Sequence, residues 1–373
     1  MTKIGLSIIV SDRPEELERC LEAAQHLYDH LSVTIVHAPT LITQPCLIIA
    51  EKYKAIVSHY YTNPQWRHHF IDDFSAARNI SWKELPEDCD WIFVLDTDDR
   101  IEDCKLAREI VLAQKSPGVG FVKIINSEGD GHFLQPRFWS HGDAHWEHRM
   151  HEQLEKDIDD LPQIFADKIV IIHDYEKVEK NNREERNHTL AQEIMKEGNV
   201  SPRFKFFFAE KQYIKYLKQG IKEGEELKEA VEIFHEITGK DLGKKDTIAV
   251  FKAFYYLADY YSISKERDYL RAIRYGLEAL KHNMDDGRPY FVIGRALYSM
   301  NHHEQAIVWL EHAMSLPDSL GPFPIFAAFK TWLPIEQIAF CYLKLGKKEK
   351  AQGYHSRARY MNKEYEKHDK DFD

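Results

Sequence analysis

Hydrophobic positions along the chain fall into two rhythms. Up to about residue 175, short apolar runs alternate with amphipathic stretches. "IGLSIIV" (Ile4 to Val10), "VTIV" (Val33 to Val36), "AIV" (Ala55 to Val57), "WIFVL" (Trp91 to Leu95), "VGFVKII" (Val119 to Ile125) and "KIVII" (Lys168 to Ile172) predict strands. A helix is expected from Pro14, since proline is tolerated in a first turn. Another is expected over "DFSAARNISWKEL", with Asp73 or Ser75 as its cap. Strands alternating with helices predict a mostly parallel, Rossmann-like α/β sheet covered on both faces.

Beyond about residue 200 the strand signal stops and long helical patterns replace it. Ala272 and Ala306 head similar stretches, "AIRYGLEALKH" and "AIVWLEHAMSLP", 34 residues apart, and each has a second alanine seven residues on, at Ala279 and Ala313. Ala351 and Ala358 repeat the pair after an insertion rich in Pro and Phe, "SLPDSLGPFPIF", and Ala230 heads a more degenerate unit. A 34-residue period with small residues at these offsets is the tetratricopeptide pattern, in which alanines let two helices of a hairpin approach closely. A non-repeating helical bundle is the alternative. The expected organisation is therefore an α/β domain over 1–175, a charged connecting helical segment over 176–202 and an all-α repeat domain over 203–373.

Composition narrows the function classes. A net charge of −11 argues against a broad nucleic-acid footprint, although Arg67, Arg137 and Arg149 leave room for a local basic groove. The five cysteines form no CxxC pair, which suits free thiols in a reducing compartment. No apolar run reaches the roughly twenty residues that span a bilayer, so a cytoplasmic location is expected.

The candidate chemistry lies at "WIFVLDTDD", where five apolar residues run into Asp96, Asp98 and Asp99. Carboxylates this close repel one another unless a cation sits among them. If the chain stays extended, Asp96 and Asp98 leave the same face and can grip one Mg²⁺ or Mn²⁺. The plain alternative is a solvated acidic turn capping the next helix. Ligands of open α/β sheets bind beyond the carboxyl ends of strands, where this cluster falls.

"DDFSAARN" followed by "DWIFVLDTDD" resembles the family-two glycosyltransferases of the GT-A fold, in particular the subgroup that carries tetratricopeptide repeats after the catalytic domain. "SIIVSDRPEELERCLEAA", "QPRFWSHGDAHWEHRMHEQL" and "KIVIIHDY" are similar to further blocks of that family, in order, over roughly residues 3–175. The resemblance implies a nucleotide-sugar donor, by default a UDP-sugar, held with Mn²⁺ or Mg²⁺. It implies that Asp96 lies against the donor ribose and the metal, that Asp98 and His173 approach the cation, and that Asp73, Arg78, Asn79 and Arg137 help hold the donor. His151 and Glu152, in the matching "HE", would stand on the acceptor side, with Glu152 as base. Glu147 and His148 are further candidates there. The second strand departs from the family: it runs into His37, Ala38 and Pro39 in place of an acidic Gly/Ser turn, which leaves the nucleotide open.

Two functions of different class follow. One is an enzyme moving a sugar to a macromolecular acceptor: a protein or peptide, a surface glycan or, less readily, a modified DNA base. The other is a non-catalytic repeat scaffold with a vestigial transferase domain. The repeats also allow self-association.

Overall fold

The computed structural model describes residues 2–362 apart from 40, 67, 69, 127–131, 143, 151, 156–160, 174–176, 199, 221–222, 241–246, 266 and 317–326. Two compact units emerge, Met1–Gly198 and, for the rest, Asn199–Ser319 with Ile325–Asp373. The charged segment expected to connect them begins inside the first unit.

That unit runs β1 (Ile4–Val10), α1 (Pro14–Ala24), β2 (His30–His37), α2 (Gln44–Lys52), β3 (Ile56–Tyr61), α3 (Phe74–Lys83) and β4 (Trp91–Val94). Then follow β5 (Asp99–Ile101), α4 (Cys104–Leu112), β6 (Val119–Asn126), β7 (His132–Ser140), β8 (His145–Glu147), β9 (Gln153–Glu155), β10 (Gln163–His173) and α5 (Lys177–Lys196). Eight strands join in the order β3-β2-β1-β4-β7-β6-β10-β5, and β8 pairs with β9 in a separate hairpin. Strands β3, β2, β1 and β4 are parallel, as expected, but β7 runs antiparallel to both β4 and β6, and β5 antiparallel to β10. The sheet is therefore mixed rather than mostly parallel.

Strand β4 shows why its apolar run is continuous. Successive side chains point to opposite faces, so Trp91 and Phe93 join the core under α1 while Ile92 and Val94 join a second core with Trp82 and Trp139. Both faces are covered, and each consumes every second residue. Gly120 on β6 lets the ring of Phe138 lie across it: a Cβ there would stand 2.0 Å from that ring.

The second unit is helical among its described residues: α6 (Pro202–Gln219), α7 (Glu225–Thr238), α8 (Thr247–Ile263), α9 (Tyr269–His282), α10 (Gly287–Ser299), α11 (His303–Ser315), α12 (Trp332–Lys344) and α13 (Lys348–Met361), with a short 3₁₀ turn at Ala327–Lys330. They pack as hairpins, α6 with α7, α8 with α9, α10 with α11 and α12 with α13. The alanines singled out by their spacing, Ala230, Ala272, Ala279, Ala306, Ala313, Ala351 and Ala358, all have no exposed surface and sit on the second helix of a hairpin. Helical hairpin repeats thus replace the bundle alternative. The Pro/Phe-rich insertion lies largely outside the described residues.

Candidate functional site

The site is built where β4 ends. Leu95 is still buried, and the chain then turns rather than staying extended. The Asp99 amide donates to the Asp96 carbonyl at 3.0 Å, and the Asp96 amide donates to Asp99 Oδ2 at 2.9 Å. This turn sends the three carboxylates in different directions.

Asp96 faces guanidiniums. Arg78 Nη2, from α3, donates to its Oδ1 at 2.5 Å, and both Nη atoms of Arg137, from β7, donate to its Oδ2 at 3.1 Å. Burial would raise the Asp96 pKa, but the charges of Arg78 and Arg137 outweigh it and hold the carboxyl well below the usual range. Asp99 has no exposed surface; it stands 2.9 Å from Arg137 Nη2 and accepts from His173 Nδ1 at 2.7 Å. That contact arises because β5 and β10 pair with Asp99 directly opposite His173.

With Nδ1 committed to a carboxylate, His173 presents Nε2 to Asp98, whose Oδ2 lies 3.4 Å away. A carboxylate on one imidazole nitrogen orients the other towards a metal. Burial alone would lower the His173 pKa, but the Asp99 hydrogen bond and the Asp98, Asp99 and Asp96 charges raise it overall. Beside the cleft, Asp98, Asp99 and His173 form a group with metal-binding geometry, one ligand atom from each lying within 4.8 Å of the others. Asp96, expected among the ligands on the premise of an extended chain, is tied to arginines instead. A donor set of carboxylate oxygen and imidazole nitrogen fits Mn²⁺ better than Mg²⁺, which prefers oxygen throughout.

Glu152 belongs to the same network. The turn between β8 and β9 delivers it to Arg78, whose Nε donates to Oε1 at 2.8 Å. Three carboxylates, Asp96, Asp99 and Glu152, thus share two guanidiniums, while Asp98 meets His173, and a divalent cation would add positive charge to this acidic group. Arg78 Nη1 is buried and makes no hydrogen bond among the described residues. The Arg78 residue borders a cleft of about 910 Å³ that also takes in Ser11 and Arg13 after β1, Val36 of β2, Asp98 and His173. Strand β1 has β2 on one side and β4 on the other, so this cleft opens at the point where strand order reverses.

Other sequence candidates have structural work. Asp73 caps α3, its Oδ1 accepting from the Ala76 amide at 2.9 Å and the Ser75 hydroxyl at 2.7 Å. Asn79 clamps β8: its Oδ1 accepts from the Trp146 amide and its Nδ2 donates to the Trp146 carbonyl, both at 2.8 Å. Glu147 pairs with His145 at 2.9 Å on the surface, and His148 takes a left-handed φ of 71° in the turn towards Glu152. His151 lies outside the described residues, as does Arg67. Of the arginines that left room for a basic groove, Arg137 is 4% exposed and Arg149 pairs with Glu197. After β2, where the sequence departs from the acidic turn of the family it resembles, His37 Nε2 meets His59 Nδ1 at 2.9 Å and its ring stacks on Tyr61. Burial, then the neighbouring His59, lowers the His37 pKa. Arg186, on α5, also borders the cleft, and nothing in its charged local sequence marks it.

Comparison with known proteins gives no family. No family model matches the chain, and no curated protein does. Solved structures it is similar to include MamA, at 16% identity and a TM-score of 0.36 over 51% of this chain and 97% of that one. A second MamA structure, from AMB-1, gives 17% and 0.35 over 50% and 94%. The thermophilic TPR protein TTC0263 of Thermus thermophilus gives 17% and 0.33 over 50% and 87%. TM-scores this low carry no argument about this chain. The motif resemblance to family-two glycosyltransferases is corrected accordingly: neither a family model nor a curated relative places the chain there, and the structures named are MamA and a TPR protein.

Proposed function

We propose that the α/β unit is a metal-dependent transferase site for a nucleotide diphospho-sugar, and that the helical repeats hold its macromolecular acceptor. One observation carries this reading: Asp98 and His173, backed by Asp99, border a cleft at the strand-order reversal together with Arg78, whose Nη1 makes no hydrogen bond among the described residues. A bound divalent cation would neutralise diphosphate oxygens and favour departure of the nucleotide. The Arg78 guanidinium adds positive charge beside the same oxygens. Glu152, which accepts from the Nε of that guanidinium, is the acceptor-side base in this reading. A protein or peptide acceptor suits the repeats best.

Calorimetry of nucleotide sugars, with and without Mn²⁺, tests the proposal beside Asp98→Ala. Expected are metal-dependent binding of one donor, release of nucleoside diphosphate, and loss of both in the variant. Equal release by both proteins would remove Asp98 from its role. The second reading, a repeat scaffold without catalysis, draws on the four hairpins and on the engagement of Asp96 by two arginines. It gains if no nucleotide sugar binds in a metal-dependent way.

A further inference from the structure

The amino-terminal ends of the strands beside β1 carry a second group of metal-ligating atoms, none of which lines the cleft. His30 opens β2, and Asp88 and Cys89 lie in the turn just before β4. Both strands flank β1, so their amino-terminal ends lie close: Gly5 pairs with His30 and Ile4 with Trp91. One ligand atom each from His30, Asp88 and Cys89 falls within 4.8 Å of the others.

The state of each atom points to a ligand. His30 Nε2 is buried and makes no hydrogen bond among the described residues, although Asp88 Oδ1 stands 3.5 Å away. The other oxygen of Asp88, Oδ2, is taken by Lys3 Nζ, which leaves Oδ1 towards the imidazole. The Cys89 side chain is 2% exposed and its Sγ lies over Gly5, where a Cβ would come within 3.1 Å. Nearby carboxylates are otherwise engaged: Asp29 by Arg108 and the Ile4 amide, Asp90 by the Lys3 amide.

We propose that His30, Asp88 and Cys89 form a zinc site that ties the start of β2 to the turn before β4. Imidazole, carboxylate and thiolate are the ligands Zn²⁺ takes, at about 2.0–2.3 Å, and atoms spaced as here need close only slightly around one ion. Thiolate and imidazole together disfavour Mg²⁺ and Ca²⁺. The carboxylate is surface-exposed, so water completes the fourth position. Binding forms an S–Zn bond and releases the thiol proton to solvent; burial pushes the Cys89 thiol up to about 11, so affinity strengthens as pH rises.

Co²⁺ titration of the full chain reads this site separately from the cleft, because only a thiolate ligand gives sulfur-to-cobalt charge-transfer absorption. The expected result is that band at one Co²⁺ per chain, bleached by added Zn²⁺ and unchanged in Asp98→Ala. It disappears in Cys89→Ser, and affinity falls at least tenfold in His30→Ala, a half-exposed position whose loss spares the fold. A band that survives in Cys89→Ser, or an affinity unmoved in His30→Ala, overturns the proposal, as does Co²⁺ binding to the wild type without the band.

Discussion

Buried charge occurs in both units, and the way it is arranged separates scaffold from site. In the repeats Lys252 meets Glu210 at 2.9 Å and Arg295 meets Asp259 at 2.5 Å, each beside a tyrosine hydroxyl that donates to the same carboxylate. Such pairs join neighbouring helices and balance sign against sign. In the α/β unit, Arg78 and Arg137 serve three carboxylates, a fourth, Asp98, meets His173, and the cluster borders a cleft. Burial of charge is common to the two; excess of one sign beside open volume is not. A buried pair is weak evidence for anything beyond its own geometry, whereas an imbalance calls for a counter-charge from outside the chain.

The sharpest way to break this contrast is to remove one cation from each unit. Arg137→Met leaves Asp96 and Asp99 short of a partner, and Lys252→Met does the same to Glu210. Stranding a buried charge costs about 3–5 kcal/mol, so both variants should lose stability on that scale in urea unfolding followed by circular dichroism. They should differ in rescue. Mn²⁺ at a hundredfold over its dissociation constant returns about 2.7 kcal/mol to the unit that binds it only when folded, so the α/β transition lowered by Arg137→Met should recover and the repeat transition lowered by Lys252→Met should not. Recovery in both, or in neither, would erase the distinction between the clusters.

The two units also differ in how far their sequences disclosed them. The repeats were legible because one physical demand, close helix approach, recurs at a fixed period and selects alanine each time. In the sheet, β1, β2, β4, β6 and β10 were visible as apolar runs, and β3 by the shorter run at Ala55 to Val57. Strand β7 was not: Pro136 interrupts it, and the register shifts between Gly120 and Phe121 opposite. Its reversal of direction turned the expected parallel sheet into a mixed one. At the site, the Asp96–Asp98 pair was legible as a cluster, but its division of labour was not. That division depends on the hydrogen bonds of the Asp96–Asp99 turn and on the pairing of β5 with β10, a contact 74 residues apart in sequence. Asp99 was therefore given no role of its own beyond the cluster, although its carboxylate is the one on His173 Nδ1.

A smaller effect tests whether the units are separable. Ala306 has no exposed surface, and its carbonyl lies 3.3 Å from where a Cβ on Gly294 would stand. Ala306→Leu overpacks the α10–α11 hairpin and should cost about 1–3 kcal/mol. If the site belongs to the α/β unit alone, Mn²⁺ affinity measured by calorimetry stays within twofold of wild type. A tenfold drop would tie the cleft to the repeats.

The smallest expected effect settles the edge of the site. Asp73 stands two residues from Ser75 and five from Arg78, close enough in sequence to have been read both as cap and as donor ligand. Its Oδ1 is spent on the Ala76 amide and the Ser75 hydroxyl, the same use that Asp268 makes of its carboxylate at the start of α9. Losing such a cap costs about 1 kcal/mol. Asp73→Ala and Asp268→Ala should therefore match in stability, and neither should change nucleotide-sugar affinity in Mn²⁺ by more than twofold. Asp73→Asn, which keeps an accepting oxygen, should restore most of the loss. Were Asp73→Ala to weaken donor binding tenfold while Asp268→Ala left it alone, the carboxylate would act on the ligand as well as on the helix. The excess of negative charge that marks the cleft would then extend onto α3.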